Sequence, residues 1–430
     1  MKSNSTSSLF QDKFHGYTKR DRCPNLNIGS ALPFAVTSLF IASVFTFFLL
    51  YSPNSLTLIP NQPSHSPIQH QQHNPSSKPQ KEQKRCDLFK GKWVRSPRSS
   101  SYYTNSSCTT IPDSKNCFKQ GRKDSDFLNW KWKPDECELE SFNPKTFLHL
   151  VRGKRFAFIG DSVARNHMDS LLCLLSQEEI PVDKSNDTED RFRTWHFPTS
   201  NFTLMTLWSR YLIVAEERII NGTASSIFDL HLDRPDPDWT SVLPTLDFAL
   251  LSAGHWFFRI MYLHHSQTLL GCVYCDDHPN LTQFKLQFAF RMALRAAYDC
   301  INAHAPSRAL IMFRTLAPSH FEGGVWNTGG YCNRTGPMGV EEVDWRRFEW
   351  EMREVQMEEF ERGRKEGEER GRRYEAVDVT RAMMMRPDAH PGEYWGNKYM
   401  RGYNDCTHWC LPGPVDFWSD LLLAILKAQV

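Results

Sequence analysis

The chain has 430 residues, of which 40% are hydrophobic, so it is long enough to bury a full core and to form more than one domain. A formal net charge of only +2 at pH 7 argues against a nucleic-acid-binding protein. Aromatic residues make up 13% of the chain, which is compatible with carbohydrate binding but serves core packing first.

An uncharged apolar run, residues 31–51, is long enough to cross a membrane as one helix. Basic residues precede it and predict a cytosolic tail over residues 1–30: Lys2, Lys13, Lys19, Arg20 and Arg22. The alternative is a cleaved signal peptide, but the run is long for one and no clear small-x-small cleavage site follows. We therefore predict a transmembrane signal anchor with the rest of the chain in a lumenal compartment.

Two segments of contrasting composition follow the anchor. Residues 52–85 are rich in Pro, Gln, Ser and His and have no aromatic residue, which predicts a disordered stem. Residues 86–150 interleave cysteines with Trp and Tyr, which predicts a disulfide-stapled segment packed on a main domain over residues 151–430. Six glycosylation sequons lie on the predicted lumenal side: Asn105, Asn186, Asn201, Asn221, Asn280 and Asn333.

The most informative motif is Gly160-Asp161-Ser162, between a predicted strand over residues 155–159 and an amphipathic helix. A serine there stands at a helix N-terminus, where unpaired N–H groups favour a developing negative charge. Far downstream, Asp405 precedes His408 by three residues, a spacing that suits a carboxylate orienting a general base. The pattern predicts a catalytic triad of these three side chains, and an ordinary turn is the alternative.

The remainder of the main domain alternates strand and helix signals. Strands are predicted over residues 202–208, 248–252, 310–313 and 374–379, and helices over residues 284–301 and 341–373. This alternation predicts an α/β sheet with helices on both faces. Ligands of such sheets bind beyond the strand C-termini, where Ser162, Gly254 and Arg314 are expected to gather.

Four motifs resemble those of the plant trichome-birefringence-like polysaccharide O-acetyltransferases: residues 160–166, 313–315, 326–332 and 405–414. The likeness spans roughly residue 86 to the C-terminus. It implies a three-layer α/β/α SGNH (GDSL)-hydrolase-like fold and acetyl transfer to a cell-wall polysaccharide. With the predicted anchor, it implies a single-pass type II protein of the Golgi membrane with a lumenal catalytic domain.

Residues 251–259 are most similar to the xyloglucan-acting branch of that family. Xyloglucan side-chain galactose is therefore the expected acceptor, and xylan or another hemicellulose is the alternative. Acetyl transfer requires an acetyl donor. Because the chain has no Gly-rich phosphate-cradling motif, the sequence does not identify this donor, and no bound cofactor is expected. The motifs alone leave open a carbohydrate acetylesterase with the same triad and a non-catalytic polymer-binding protein.

The resemblance also implies four disulfides: Cys86–Cys137, Cys108–Cys173, Cys117–Cys410 and Cys332–Cys406. Cys272, Cys275 and Cys300 remain. A local disulfide, or a pair with Cys300 that leaves one thiol free, is expected in preference to a metal site, because no second ligand cluster accompanies the Cys-x-x-Cys sequence. No metal is predicted.

Further site residues are expected around the nucleophile. The N–H groups of Ser162 and Gly254 are the predicted oxyanion donors. Asn166 lies one helical turn after the serine and is expected to buttress the site. Ser252 occupies a position where the family often has Asn, so its part in the oxyanion site stays open.

Three other residues carry an open alternative each. Arg165 is a candidate for binding an anionic donor group, or else forms an internal salt bridge. His255, next to a tryptophan, either lines the acceptor cleft or packs in the core. His390 lies two residues after Asp388, and a structural or substrate-contact role is expected for this pair rather than catalysis.

Overall fold

The computed structural model describes residues 86–96, 102–187, 191–276, 278–397, 400 and 402–429, which belong to one compact unit. The predicted anchor and stem, residues 31–51 and 52–85, lie outside the described residues. No helix in the described part of the chain is both long and apolar enough to cross a membrane.

The strands, in chain order, are β1 (Gly91–Arg95), β2 (Trp130–Pro134), β3 (Arg155–Gly160), β4 (Val182–Asp183), β5 (Phe192–Phe197), β6 (Phe202–Trp208), β7 (Ile213–Ile220), β8 (Thr223–Pro235), β9 (Phe248–Ser252), β10 (Ile260–His265), β11 (Thr268–Val273), β12 (Leu310–Arg314) and β13 (Arg373–Val377). The α-helices are α1 (Pro144–Leu150), α2 (Ser162–Leu175), α3 (Pro237–Thr240), α4 (Leu286–His304), α5 (Phe348–Glu368), α6 (Thr380–Met384) and α7 (Asp416–Gln429).

A seven-stranded sheet forms the centre of the main domain, in the order β13-β12-β9-β3-β6-β5-β4. The five strands from β13 to β6 are parallel, and β5 and β4 continue the sheet in antiparallel fashion. After β3 the chain adds β4, β5 and β6 on one side of it, and then β9 on the other. The boundary between β3 and β9 is therefore the topological switch point, where open α/β sheets bind ligands.

Alternate residues of each central strand enter two separate cores. Phe156 and Phe158 of β3 lie in a core with residues of α2 and α7. Ala157 and Ile159 lie in a second core with residues of α4 and α5. Helices thus cover both faces of a mixed α/β sheet, which confirms the predicted α/β class.

Two features differ from the sequence prediction. A second sheet, in the order β11-β10-β8-β7, was not predicted: β7 has charged residues at its centre, and the alternation of buried apolar and polar residues in β8 was not recognised. The helix predicted over residues 341–373 is shorter: α5 begins at Phe348, after turns, and ends at Glu368 before Gly371, whose φ of +72° is unfavourable for other residues.

The segment over residues 86–150 packs against the C-terminal helix. The hydroxyl groups of Tyr103 and Tyr102 each donate a 2.8 Å hydrogen bond, to Asp416 Oδ1 and Asp420 Oδ1 respectively. Both carboxylates belong to α7, so the segment is joined to the main domain by buried polar contacts as well as by disulfides.

The structure contains the four disulfides that the resemblance implies: Cys86–Cys137, Cys108–Cys173, Cys117–Cys410 and Cys332–Cys406. A fifth joins Cys272 and Cys275, which is the local alternative. All six sequon asparagines are exposed.

Candidate active site

The candidate nucleophile, Ser162, is the first residue of α2, directly after β3. Asp161 caps this helix, and its Oδ1 accepts hydrogen bonds from Val163 N at 3.0 Å and Ala164 N at 3.4 Å. Gly160 has a φ of +147°, and a Cβ atom there would overlap the carbonyl oxygen of Ser252. Glycine is therefore required at the turn that presents the serine.

The structure brings the three predicted triad residues together. His408 Nε2 lies 2.7 Å from Ser162 Oγ, and His408 Nδ1 lies 2.8 Å from Asp405 Oδ2. The carboxylate can only accept from Nδ1–H, which leaves the lone pair of Nε2 facing the serine hydroxyl. This is the hydrogen-bonded arrangement of a nucleophile, a base and an orienting acid.

Comparison with known proteins identifies the family of this chain. The model of the PC-Esterase family, described as a GDSL/SGNH-like acyl-esterase family found in Pmr5 and Cas1p, matches residues 139–425, and the PMR5 N-terminal domain matches residues 84–138. The chain belongs to the PC-Esterase family. The predicted SGNH-like fold of the main domain is thereby confirmed at the level of the family.

Among similar proteins, xyloglucan O-acetyltransferase 4 of Populus trichocarpa is 51% identical over 95% of this chain and 94% of its own length. Xyloglucan O-acetyltransferase 2 of Arabidopsis thaliana is 47% identical over 98% and 99%. Protein trichome birefringence-like 19 of Arabidopsis thaliana is 43% identical over 80% and 81%. The predicted membership of the trichome-birefringence-like O-acetyltransferases, with greatest similarity to the xyloglucan branch, is confirmed, and so is the assignment as an O-acetyltransferase.

Asp405 of this PC-Esterase domain is buried, with 5% of its surface exposed. Burial alone would raise the pKa of its carboxyl group. The facing His408 imidazole and the N–H groups of His408 and Thr407, both 3.0 Å from Oδ1, outweigh burial and hold that pKa well below its usual value. The carboxylate is therefore ionised across the physiological range.

The backbone around His408 is held from several sides. Trp409 N donates to Asn166 Oδ1 at 2.8 Å, and Asn166 Nδ2 donates to the carbonyl oxygen of Trp409 at 3.3 Å. The disulfides of Cys406 and Cys410 flank the histidine. Since Asn166 belongs to the same helix as Ser162, these bonds connect the position of the base directly to that of the nucleophile.

Two buried histidines behind the triad were not predicted as a pair. The carbonyl oxygen of His408 lies 2.6 Å from His390 Nδ1, and His390 Nε2 lies 2.8 Å from His320 Nδ1. Burial lowers the pKa of both, that of His390 to about 4, so each is neutral with one N–H. One proton from each satisfies these two short contacts. The separation of 70 residues between them leaves no local sequence signal.

Asp388, the acidic neighbour of His390 in sequence, pairs instead with Arg386 at 2.8 Å, and both side chains are fully buried. Its carboxylate is thus used within the fold.

The predicted oxyanion residues lie at the switch point. Gly160 and Ser252 are paired across β3 and β9, and Ser162 and Gly254 each follow two residues later. The two segments are adjacent where the strands end, because Asp161 N donates to the carbonyl oxygen of Ser252 at 3.3 Å. Ser252 itself is buried beneath the site, where its hydroxyl is hydrogen-bonded to the guanidinium of Arg314.

Asp161 and Arg314 form a charged layer below the serine. Burial would raise the pKa of Asp161, but His255, whose Nδ1 lies 3.7 Å from Oδ2, and the charge of Arg314 hold it below its usual value. Burial in turn lowers the pKa of Arg314 to about 10, so it stays cationic. His255 thus lies against the carboxylate that caps α2. The guanidinium carbon of Arg165 lies 5.2 Å from the ring centroid of Trp208.

Proposed function

We propose that this protein transfers acetyl groups from an acyl donor to hydroxyl groups of xyloglucan, on side-chain galactose, through an acetyl-Ser162 intermediate. The observation that carries the proposal is the 2.7 Å contact of Ser162 Oγ with His408 Nε2, whose other nitrogen is bound by Asp405. Polysaccharide acetylation itself is supported by the relatives named xyloglucan O-acetyltransferase.

In the first step, His408 Nε2 takes the proton of the Ser162 hydroxyl as Oγ attacks the acetyl carbonyl carbon. The bond from that carbon to the donor breaks, and the leaving group departs with the proton from Nε2. Asp405 stays ionised and stabilises the imidazolium that forms between these two events.

In the second step, a sugar hydroxyl occupies the position that the leaving group vacated. His408 Nε2 removes its proton, the sugar oxygen attacks the acetyl carbon, and Ser162 Oγ leaves and regains the proton. The sugar ester is the product and the enzyme returns to its starting protonation state. Water in place of the sugar would give acetate, so transfer requires that the acceptor site exclude water.

In both steps, we assign the stabilisation of the negative charge on the acetyl oxygen to the N–H groups of Ser162 and Gly254. Their equivalent positions after β3 and β9 support this assignment. Each such donor contributes about 3–4 kcal/mol to transition-state stabilisation.

We also propose that the reaction takes place in the Golgi lumen, with residues 31–51 as the membrane anchor and residues 52–85 as the stem. Disulfides persist in oxidising compartments, and five lie within the described residues. The exposure of all six sequon asparagines agrees with glycosylation there.

The test uses the full-length protein purified in detergent, with 4-nitrophenyl acetate as the donor and oligosaccharides of xyloglucan, xylan and mannan as acceptors. We expect one acetyl group on xyloglucan oligosaccharides, on galactose, and none with Ser162→Ala. Acetylation of xylan alone would identify xylan, the alternative, as the acceptor. Acetate release without transfer would indicate an esterase, and equal transfer by Ser162→Ala would overturn the mechanism.

A further inference from the structure

Two exposed aromatic rings lie beside the triad loop. The ring centroids of Trp326 and Tyr403 are 6.4 Å apart with an angle of 38° between the planes, and the two residues are 40% and 43% exposed. Single exposed apolar residues are normal on any surface, but adjacent large rings form a patch that needs an explanation.

The patch is fastened to the catalytic loop. Tyr403 precedes Asp405 by two residues, and Asn404 Nδ2 donates to the carbonyl oxygen of Gly330 at 3.1 Å. Cys332, at the end of the loop that carries Trp326, is bonded to Cys406. The loop that carries Trp326 is thus covalently joined to the loop that carries Tyr403 and His408.

Arg259 connects the patch to the segment that follows β9. Its guanidinium carbon lies 4.9 Å from the ring centroid of Trp326 and 5.4 Å from that of Trp256, and its Nε is buried with no hydrogen-bond partner within the described ranges. Trp256 follows Gly254 by two residues. Cation–π contacts on both rings therefore hold Trp326 in place relative to the proposed oxyanion site.

From these contacts we infer that Trp326 and Tyr403 form a saccharide-binding platform for the acceptor, with Arg259 as the residue that positions Trp326. The inference rests on the proposed function for its choice of occupant. Pyranose rings present flat C–H faces that pack on aromatic rings, and a neutral polysaccharide offers no charge for ion pairs. A two-ring patch is far smaller than the roughly 800 Å² per partner of a protein interface, so it suits one or two sugar units.

Polar side chains flank Trp326 in the sequence. Glu322 and Arg334 lie before and after it, 3.8 Å apart, with their side chains 46% exposed each. An apolar face with a few polar groups at its margin is the usual form of a small-ligand site.

The primary test measures binding rather than turnover. Full-length protein with Ser162→Ala is titrated calorimetrically with a xyloglucan oligosaccharide, alone and combined with Trp326→Ala, Trp326→Tyr or Trp326→Leu. We expect Trp326→Ala to raise Kd by at least ~10-fold. Trp326→Tyr should bind with a Kd within ~3-fold of that of Ser162→Ala alone. Trp326→Leu should bind as weakly as Trp326→Ala, because leucine keeps apolar area without a flat face. An unchanged Kd in the Ala or Leu variant, or no binding by Ser162→Ala itself, would overturn the inference.

Turnover separates the platform from the chemistry. In otherwise native protein, Trp326→Ala should raise the acceptor KM by a similar factor and change kcat by less than ~2-fold. Hydrolysis of 4-nitrophenyl acetate without acceptor should not change, because that ester does not need the platform. A parallel loss of ester hydrolysis would overturn the inference, since it would indicate distortion of the triad loop. If the native protein acetylates nothing, the proposed function fails, while the Kd values still decide the platform.

Arg259→Met keeps an unbranched side chain that reaches about as far as Nε, and it removes the guanidinium group with its charge. If Arg259 positions Trp326, this variant raises Kd by ~3- to 10-fold and has no further effect in the Trp326→Ala background. A full additive effect would assign Arg259 to the ligand directly and would contradict the positioning role.

Discussion

The loop with Asp405 and His408 and the loop with Trp326 share one disulfide, yet they differ in almost every other contact. Asp405 is 5% exposed, and both ring nitrogens of His408 have partners at 2.7 and 2.8 Å. Trp326 is 40% exposed, and its ring contacts the Tyr403 ring and the guanidinium of Arg259. Proton transfer requires side chains fixed to a fraction of an ångström, whereas recognition of a polymer requires accessible area.

This contrast predicts different kinetic signatures. Changes around His408 should lower kcat for every acceptor, because they act on the reacting atoms. Changes around Trp326 should raise the acceptor KM and spare the reaction with small esters.

Asp405→Asn should lower kcat about 10³- to 10⁴-fold. The amide cannot accept from His408 Nδ1–H in the same way and favours the wrong tautomer, so Nε2 no longer faces Ser162 as an acceptor. Steady-state transfer to a xyloglucan oligosaccharide measures the loss. Asp344→Asn, at an exposed carboxylate, is the control and should be neutral. A decrease below about 10-fold at position 405 would argue against the triad.

Asn166→Ala should lower kcat about 10- to 100-fold without raising the acceptor KM. It removes both hydrogen bonds to the backbone of Trp409, and a shift of about 1 Å in the base has an effect of this size. Asn166→Asp retains the acceptor for Trp409 N, so its kcat should lie between those of the wild type and Asn166→Ala. If only KM changed, Asn166 would belong to the acceptor site instead.

Replacing Cys332 and Cys406 together by Ser should change both parameters several-fold, since this disulfide joins the two loops. The free energy of unfolding should also fall by about 2–4 kcal/mol. The matched control is the double replacement of Cys272 and Cys275, whose sequence separation is 3 instead of 74. An effect on kcat alone would show that the platform loop does not depend on the triad loop.

Asp420→Asn should leave both kinetic parameters unchanged and alter only the pH dependence of stability. Burial raises the pKa of Asp420 to about 7, whereas an unfolded aspartate titrates near 3.9. The folded state therefore binds the extra proton between about pH 4 and 7, and stability falls as pH rises through that window. Wild type should lose about 2 kcal/mol between pH 5 and 7.5 at this site, and Asn should flatten the curve. Chemical denaturation at both pH values measures the change, and equal slopes would contradict it.

Much of the central sheet could be predicted because its strands are buried on both faces. The apolar runs over residues 155–159 and 248–252 match β3 and β9 to within one residue. The second sheet was missed although β8 carries a strand signal: Phe228, Leu230 and Leu232 are buried and alternate with polar residues, and Asn221-Gly222 forms the turn between β7 and β8. Only in β7 do Glu216, Glu217 and Arg218 interrupt the apolar pattern. β7 with β8 and β10 with β11 pair as hairpins, and only the parallel pairing of β8 with β10 joins strands that have another strand, β9, between them in the chain.

The same distinction applies to the site. Ser162 and His408 stand out because short motifs mark them, and the structure brings them together. Asn166 was placed near the site by helical spacing, but its partner Trp409 is 243 residues away. Trp326 lies in a motif and His390 follows Asp388 closely, but their partners Tyr403 and His320 come from distant parts of the chain, so no local pattern predicts either pairing.

The most direct test of the central claim is acid quenching of the full-length protein during reaction with 4-nitrophenyl acetate, followed by peptide mass spectrometry. We expect one acetyl ester on Ser162, which disappears when a xyloglucan oligosaccharide is added and never forms in Ser162→Ala. An acetyl group on a different residue, or undiminished transfer by Ser162→Ala, would contradict that claim.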